Sequence, residues 1–318
     1  MPSSVPAPIP ERPSKLTDHG ISAIFPTSGR IKASLKALRI ISECSPPPDE
    51  IIVFVDGGDP ATISTIGEHY PKVRVLSEKR ILGPGGARGR LIEAASHEMV
   101  ASFDDDSFPE RPDFFARVRQ DAAQFPDAAV ISAASHEAEW REPGYRQIAV
   151  YSGCGCVFRK SWFNKTSGFV PLRIAYAMEE VDVSLQLHGA GGAVIHDPDL
   201  RVIHDHPWAT ELDPEMNAAF LRNTALLPAL RYPWWLLPLG MLQVALHLMR
   251  LVRAGATAGL WRGSQSLPSY LLDHWSFRRA VSGRAVLSWL ALKRRPKTPE
   301  PQTLCADSQA REATKASG

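Results

Sequence analysis

Five short apolar runs alternate with helix-like stretches between residues 21 and 215: ISAIF at 21–25, IIVFV at 51–55, VRVL at 73–76, MVASF at 99–103 and AVISAAS at 129–135. Such runs, bounded by Gly, Pro and Asp, suit strands buried on both faces. Their alternation with helices predicts a mostly parallel central sheet in an α/β fold. Open sheets of this kind bind ligands beyond the carboxyl ends of their strands. The residues found there are PTSGR after the first run, DGGD after the second and DDDS after the fourth. All three ends are polar and two are acidic, so one crevice is expected to gather them.

The rest of the chain sorts around that unit. With 318 residues and 44% apolar content, a sizeable core is within reach as one large domain or two small ones. Residues 1–18 hold five prolines and residues 296–318 are polar and small, so both are expected to be disordered. Between them the reading gives a ligand-binding α/β unit at 19–215 and a basic helical region at 216–295. Cys44, Cys154, Cys156 and Cys305 are too scattered for a disulfide scaffold, which suggests a reducing, cytoplasmic setting. Cys154 and Cys156 lack a second ligand pair, so they read as small packing residues and not as a zinc site. Glycines 83, 85, 86 and 89 fit neither a Walker loop nor a dinucleotide fingerprint, which would have to follow the first strand.

Charge is unevenly spread. Residues 222–295 carry eleven Lys and Arg against one acid, Asp273, whereas residues 1–221 are net acidic. A basic face of this kind suits an anionic membrane surface, where each Lys or Arg contributes about 1 kcal/mol. The apolar run Trp234 to Leu246 is 13 residues long and contains Pro238 and Gly240. A spanning helix needs about 20, so this segment is expected to lie in the interface, with Trp234, Trp235, Arg250 and Arg253 at headgroup depth. An amphipathic cap over the sheet is the alternative.

Asp104, Asp105 and Asp106 stand together at a strand end. Three adjacent carboxylates repel one another unless a cation sits among them. Oxygen ligands select Mg²⁺ or Mn²⁺, whose shell substrate phosphates commonly complete. A solvated turn or helix cap would account for the triplet alone. Asp56, at the end of the second strand, is expected to face the same crevice and accept a hydrogen bond from a base or ribose.

The order of these pieces resembles that of family 2 glycosyltransferases with the GT-A fold, over roughly residues 20–210. ISAIFPTSGR (21–30) is similar to the opening strand and nucleotide loop, and VFVDGGD (53–59) to the base-contacting motif. GPGGARGRLIEAA (83–95) is similar to the glycine-rich helix, and FDDDS (103–107) to the Asp-x-Asp motif. GCGCVFRKSWFNKTSGF (153–169) resembles the acceptor-side segment, MEEVDVSLQL (178–187) the helix bearing the general base, and PDLRVIHDH (198–206) the closing strand.

The resemblance implies that Pro26, Thr27, Arg30, Asp56, Arg88, Asp104 and Asp105 contact the donor. It implies that Asp106, Asp104 and His204 hold the metal, with His206 as second choice for the histidine. Glu180 matches the base position, usually Asp in the family, and its extra methylene keeps Glu179 in contention. Gly153, Cys154 and Asp182 fall on the acceptor side. The implied activity is inverting, metal-dependent sugar transfer from a UDP- or dTDP-linked donor to a cell-surface, lipid-linked or secondary-metabolite glycan, as in polysaccharide biosynthesis. The bacterial membrane-associated, rhamnosyltransferase-like members are the nearest in pattern. The implied location is the inner face of the cell membrane, and no nucleic-acid partner is expected. Two other readings are a catalytically silent nucleotide-sugar or glycan-binding module and a nucleotidyltransferase.

Overall fold

A computed structural model describes residues 20–135, 143–176, 178–205 and 214–299. The expected disorder of 1–18 and of 300–318, and the role of His206, lie outside the described residues.

One nine-stranded sheet organises the chain. Strands β1 (Ile21–Thr27), β2 (Glu50–Asp56), β3 (Arg74–Glu78) and β4 (Met99–Ser102) pair in parallel in the order β3-β2-β1-β4, as the apolar runs predict. Beyond β4 the sheet is mixed. The remaining strands are β5 (Ser107–Pro109), β6 (Ala128–Ser135), β7 (Arg146–Ile148), β8 (Cys156–Arg159) and β9 (Ala193–His204). β8 runs antiparallel between β4 and β6, β6 pairs in parallel with β9, and β5 and β7 are antiparallel to β9. Parallel pairing without antiparallel neighbours therefore governs the first half only.

Alternation along β1 shows why both faces are covered. Ile21, Ala23 and Phe25 join a core with Leu38 and Ile41 of α1 (Ile31–Ser42), Ile66 of α2 (Pro60–His69) and Phe114 and Phe115 of α4 (Phe114–Gln124). Ile24 points the other way. It meets Leu91 and Ile92 of α3 (Gly83–Ala94), Phe163 of α5 (Lys160–Phe163) and Val183 and Leu187 of α6 (Glu179–Gly189). Strand periodicity thus divides one apolar run between two helix layers.

Local chemistry starts the helices. Asp59 accepts from the Thr62 amide at 2.9 Å, and Pro60 follows as the first helical residue of α2. The start of α3 has no side-chain cap of its own. Its amides at Leu82 and Gly83 instead donate to the two oxygens of Asp56, at 2.8 and 2.9 Å.

Four further helices follow the sheet: α7 (Pro214–Arg231), α8 (Leu237–Arg253), α9 (Leu260–Asp273) and α10 (Gly283–Arg294). α10 packs on α6 through Trp289 and Val286, which share a cluster with Leu185, and the Trp289 indole donates to the Ala149 carbonyl at 2.7 Å. The chain just past α10, expected to be loose from 296 onward, is held in its first residues. The edge of β7 offers unpaired backbone groups, and Lys297 and Gln147 exchange backbone hydrogen bonds at 2.8 and 3.1 Å.

The outer face of this layer is apolar and uncovered, with Trp234, Trp235, Met241, Leu242, Val252 and Trp261 all more than half exposed. A 3-10 turn joins α8 to make a 20-residue rod, Trp234–Arg253, with mean hydropathy 1.5 and little burial. Its length and composition suffice to cross a membrane, a longer apolar element than the 13-residue run implies.

Candidate active site

The crevice at the carboxyl ends of β1, β2 and β4 holds one connected set of charges. Thr27 donates to Asp105 at 2.8 Å, and Arg30 reaches both Asp105 (2.9 Å) and Asp106 (2.7 Å). Burial, followed by the neighbouring carboxylates, outweighs these bonds at Asp105 and raises it to about 6. Burial also opposes ionisation of Asp106, but hydrogen bonds from His204 and Arg30 prevail and hold it at about 2. Adjacent residues of one loop thus carry opposite shifts.

Phe103, packed against Phe114 and Phe115, anchors this loop, and its amide donates to the Ile24 carbonyl at 2.9 Å. β5 then returns the chain to β9, where Ser107 lies opposite His204. That register explains how residues about a hundred positions apart meet: His204 Nε2 is 3.3 Å from Asp106 Oδ1. Asp104, Asp106 and His204 each offer a ligand atom within 4.8 Å of the others, so this group could hold a metal ion. Two carboxylates and one imidazole suit a divalent cation of the Mg²⁺ or Mn²⁺ type. Pro26 lies in the same strand end, one residue before Thr27.

Arg88, 2% exposed, ties the acidic loop to α6. It donates to Ser102 (2.9 Å), Asp104 (2.6 Å) and Glu179 (2.7 Å). Its fork is therefore fully engaged by protein groups. The resemblance implies a donor contact for Arg88, and in the structure its contacts brace two parts of the site. Asp56, expected to meet a base or ribose, likewise has both oxygens on the α3 amides.

The paired glutamates of MEEVDVSLQL are set differently. Glu179 spends Oε1 on Arg88, while Oε2 is buried without a hydrogen-bond partner among the described residues. Burial and the adjacent Glu179 charge push Glu180 up to about 8. Two glycines make room for them. A Cβ at Gly153 would lie 2.3 Å from Glu180 Oε1, and one at Gly85 3.0 Å from Glu179 Oε2. Gly153 thus belongs to the site by shape. Cys154 sits in the core below, its thiol pushed up to about 11 by burial, and Cys156 is buried beside it.

Asp182, assigned to the acceptor side, sits apart from this group. It is 1% exposed, and Arg231 grips both of its oxygens while Gln186 donates to Oδ2 at 3.0 Å. Arg231 itself is fully buried and also donates to the Phe277 carbonyl at 2.9 Å. It escapes sequence reading because one of eleven Lys and Arg in a basic region resembles a surface charge. Ser102, which orients Arg88, is hidden inside an apolar strand for the same kind of reason.

Comparisons with known proteins agree with this architecture. Residues 19–149 match the family described as Glycosyltransferase like family 2. The chain is 32% identical over 122 residues to an N-acetylglucosaminyl-diphospho-decaprenol L-rhamnosyltransferase of Mycobacterium tuberculosis. That match covers 36% of this chain, and the chain spans 39% of the relative's length. Among solved structures, a mannosyltransferase of Pyrobaculum calidifontis in complex with GDP-Man and Mn²⁺ aligns over 93% of this chain and 80% of its own, with TM-score 0.52 and 16% identity. S. aureus TarS 1-349 in complex with UDP-GlcNAc aligns over 82% and 74%, with TM-score 0.50 and 15% identity. The chain therefore has the GT-A fold of these solved glycosyltransferases, and its residues 19–149 are similar to family 2 members.

Proposed function

We propose that this protein is an inverting, metal-dependent glycosyltransferase that moves a sugar from a nucleotide-sugar donor, UDP- or dTDP-linked, to a hydroxyl of a lipid-linked diphosphate glycan. The observation that carries the reading is the single chain of contacts from Thr27 and Arg30 through the Asp104–Asp106 loop and Arg88 to Glu179, with Glu180 alongside. Donor-side and base-side groups so linked are what a one-step displacement needs.

Asp106, Asp104 and His204 would hold Mg²⁺ or Mn²⁺, which when bound neutralises charge developing on the departing diphosphate. Pro26, Thr27, Arg30 and Asp105 line the donor's side, and Asp56 and Arg88 act by shaping the glycine-rich loop and bracing the acids. Glu180 takes the acceptor proton, and Gly153 leaves room for it. Its raised pKa suits a base working near neutral pH, because a stronger base accepts a proton more readily. Glu179 holds the neighbouring negative charge and is the alternative base.

The acceptor class is carried over from the name of the mycobacterial relative. The exposed apolar rod Trp234–Arg253 and the basic 222–295 region support attachment to an anionic membrane surface, which we place at the cytoplasmic face. In this scheme residues 19–215 form the catalytic unit and 216–295 the membrane-facing extension.

The deciding experiment incubates the full chain with Mn²⁺ and a panel of nucleotide sugars and measures nucleoside diphosphate release. Release that disappears in Asp106→Ala supports the reading. Donor binding without release favours a silent binding module, and pyrophosphate release from a nucleoside triphosphate favours a nucleotidyltransferase.

A further inference from the structure

A second cavity, of about 270 Å³, lies between the segment leading into α6 and helices α7 and α9, lined among others by Arg173, Glu215, Arg222, Tyr270 and His274. It is smaller than the roughly 300–1,000 Å³ of pockets that take whole drug-sized ligands, so it suits a compact group. Arg173 is exposed and has no ion-pair partner among the described residues. Arg222 lies over the Tyr270 ring at 5.2 Å. Its polar contacts are long, 3.3 Å to both Ser266 and Glu215, and its buried Nε has no hydrogen-bond partner among the described residues. Among the described residues that line it, two guanidinium groups face one carboxylate, and a held but under-satisfied arginine fork is what a phosphate oxygen pair meets well.

The cavity is joined to the reacting groups by the segment that forms its wall. Asn223, the neighbour of Arg222, donates to the carbonyls of Ile174 and Tyr176, both at 2.9 Å, and accepts from Tyr270 at 2.7 Å. Three and four residues past Tyr176 come Glu179 and Glu180. The opposite side of the same segment presses on the glycine-rich loop, where a Cβ at Gly83 would lie 2.0 Å from the Leu172 carbonyl oxygen. One strip of backbone therefore separates the donor-side loop from this cavity and ends at the base.

Resting on the transfer reading above, we propose that Arg173 and Arg222 bind the diphosphate of the acceptor, fixing its glycan beside Glu180. The site is distinct from the Asp104–Asp106–His204 group and needs no metal.

The test is calorimetric titration of the metal-free full chain, in excess chelator, with inorganic pyrophosphate and separately with farnesyl diphosphate. Binding of both by the wild type, weakened tenfold or more in Arg173→Gln and in Arg222→Gln and unchanged in Arg253→Gln, supports the site. Arg173 is exposed, so its replacement tests the site without disturbing a core, and Arg173→Lys should give an intermediate loss as the charge stays and the fork goes. Equal binding by wild type and Arg173→Gln, or exclusion of farnesyl diphosphate, overturns the proposal. Because donor and metal are absent, failure of the transfer reading leaves this measurement untouched. If turnover is observed, Arg173→Gln should raise the KM for acceptor tenfold or more and leave donor hydrolysis by water unchanged; a drop in both would reject a binding role.

Discussion

The first turn of one helix carries acids in opposite states, on its sides toward the helical layer and toward the crevice. Toward the helical layer, Asp182 has every oxygen engaged by Arg231 and Gln186. Toward the crevice, in the same turn, Glu179 keeps a buried oxygen without a partner among the described residues and Glu180 is pushed up to about 8. A buried charge that is paired and hydrogen-bonded holds structure together, whereas an under-satisfied one is held ready by the structure around it. The GT-A core and the helical extension thus meet at a helix that holds a fully paired acid beside two others, one of them under-satisfied among the described residues, to which we assign the chemistry.

The largest effect should come from breaking the satisfied side. Arg231→Ala leaves Asp182 buried and unpaired and should cost about 3–5 kcal/mol of stability, measured by denaturant unfolding. Replacing the pair together with Leu and Met should recover most of that loss. If Arg231→Ala is as stable as the wild type, the two faces do not differ as described.

On the reactive side, Glu180→Gln should leave the unfolding midpoint nearly unchanged and lower turnover by about two orders of magnitude or more. A larger loss in Glu179→Gln would move the base by one residue. Gly153→Ala sharpens the same point through shape alone. The added methyl must displace the Glu180 carboxyl, and a roughly tenfold loss in kcat is expected with little change in donor KM.

The pH dependence is the smallest and most specific effect. A base raised to about 8 is mostly protonated at neutral pH, so kcat/KM should climb about tenfold per unit toward pH 8 and level off above it. Removing the Glu179 charge takes away a cause of that rise, so Glu179→Gln should shift the limb to lower pH. An unmoved limb would assign it to another group.

Much of this was legible in the residues. The runs at 21–25, 51–55 and 99–103 announce parallel strands because apolar residues on both faces have few other ways to be buried, and the acids after them then have to share a crevice. The mixed order of β8, β6 and β9 was not legible, since β8 and β5 are too short to show a period. The bracing role of Arg88 was hidden because a glycine-rich helix suggests a ligand contact, whereas burial turned its fork inward to Ser102, Asp104 and Glu179.

What the sequence by itself determined is therefore the kind of fold and the identity of the groups at its strand ends, because periodicity and strand-end polarity are local properties. Only the tertiary structure decided which acid has its oxygens fully partnered and which keeps one buried without a partner among the described residues. That choice depends on partners such as Arg231 and His204, lying 49 and 98 residues from Asp182 and Asp106 in the chain, and no local pattern encodes the distance between them once folded.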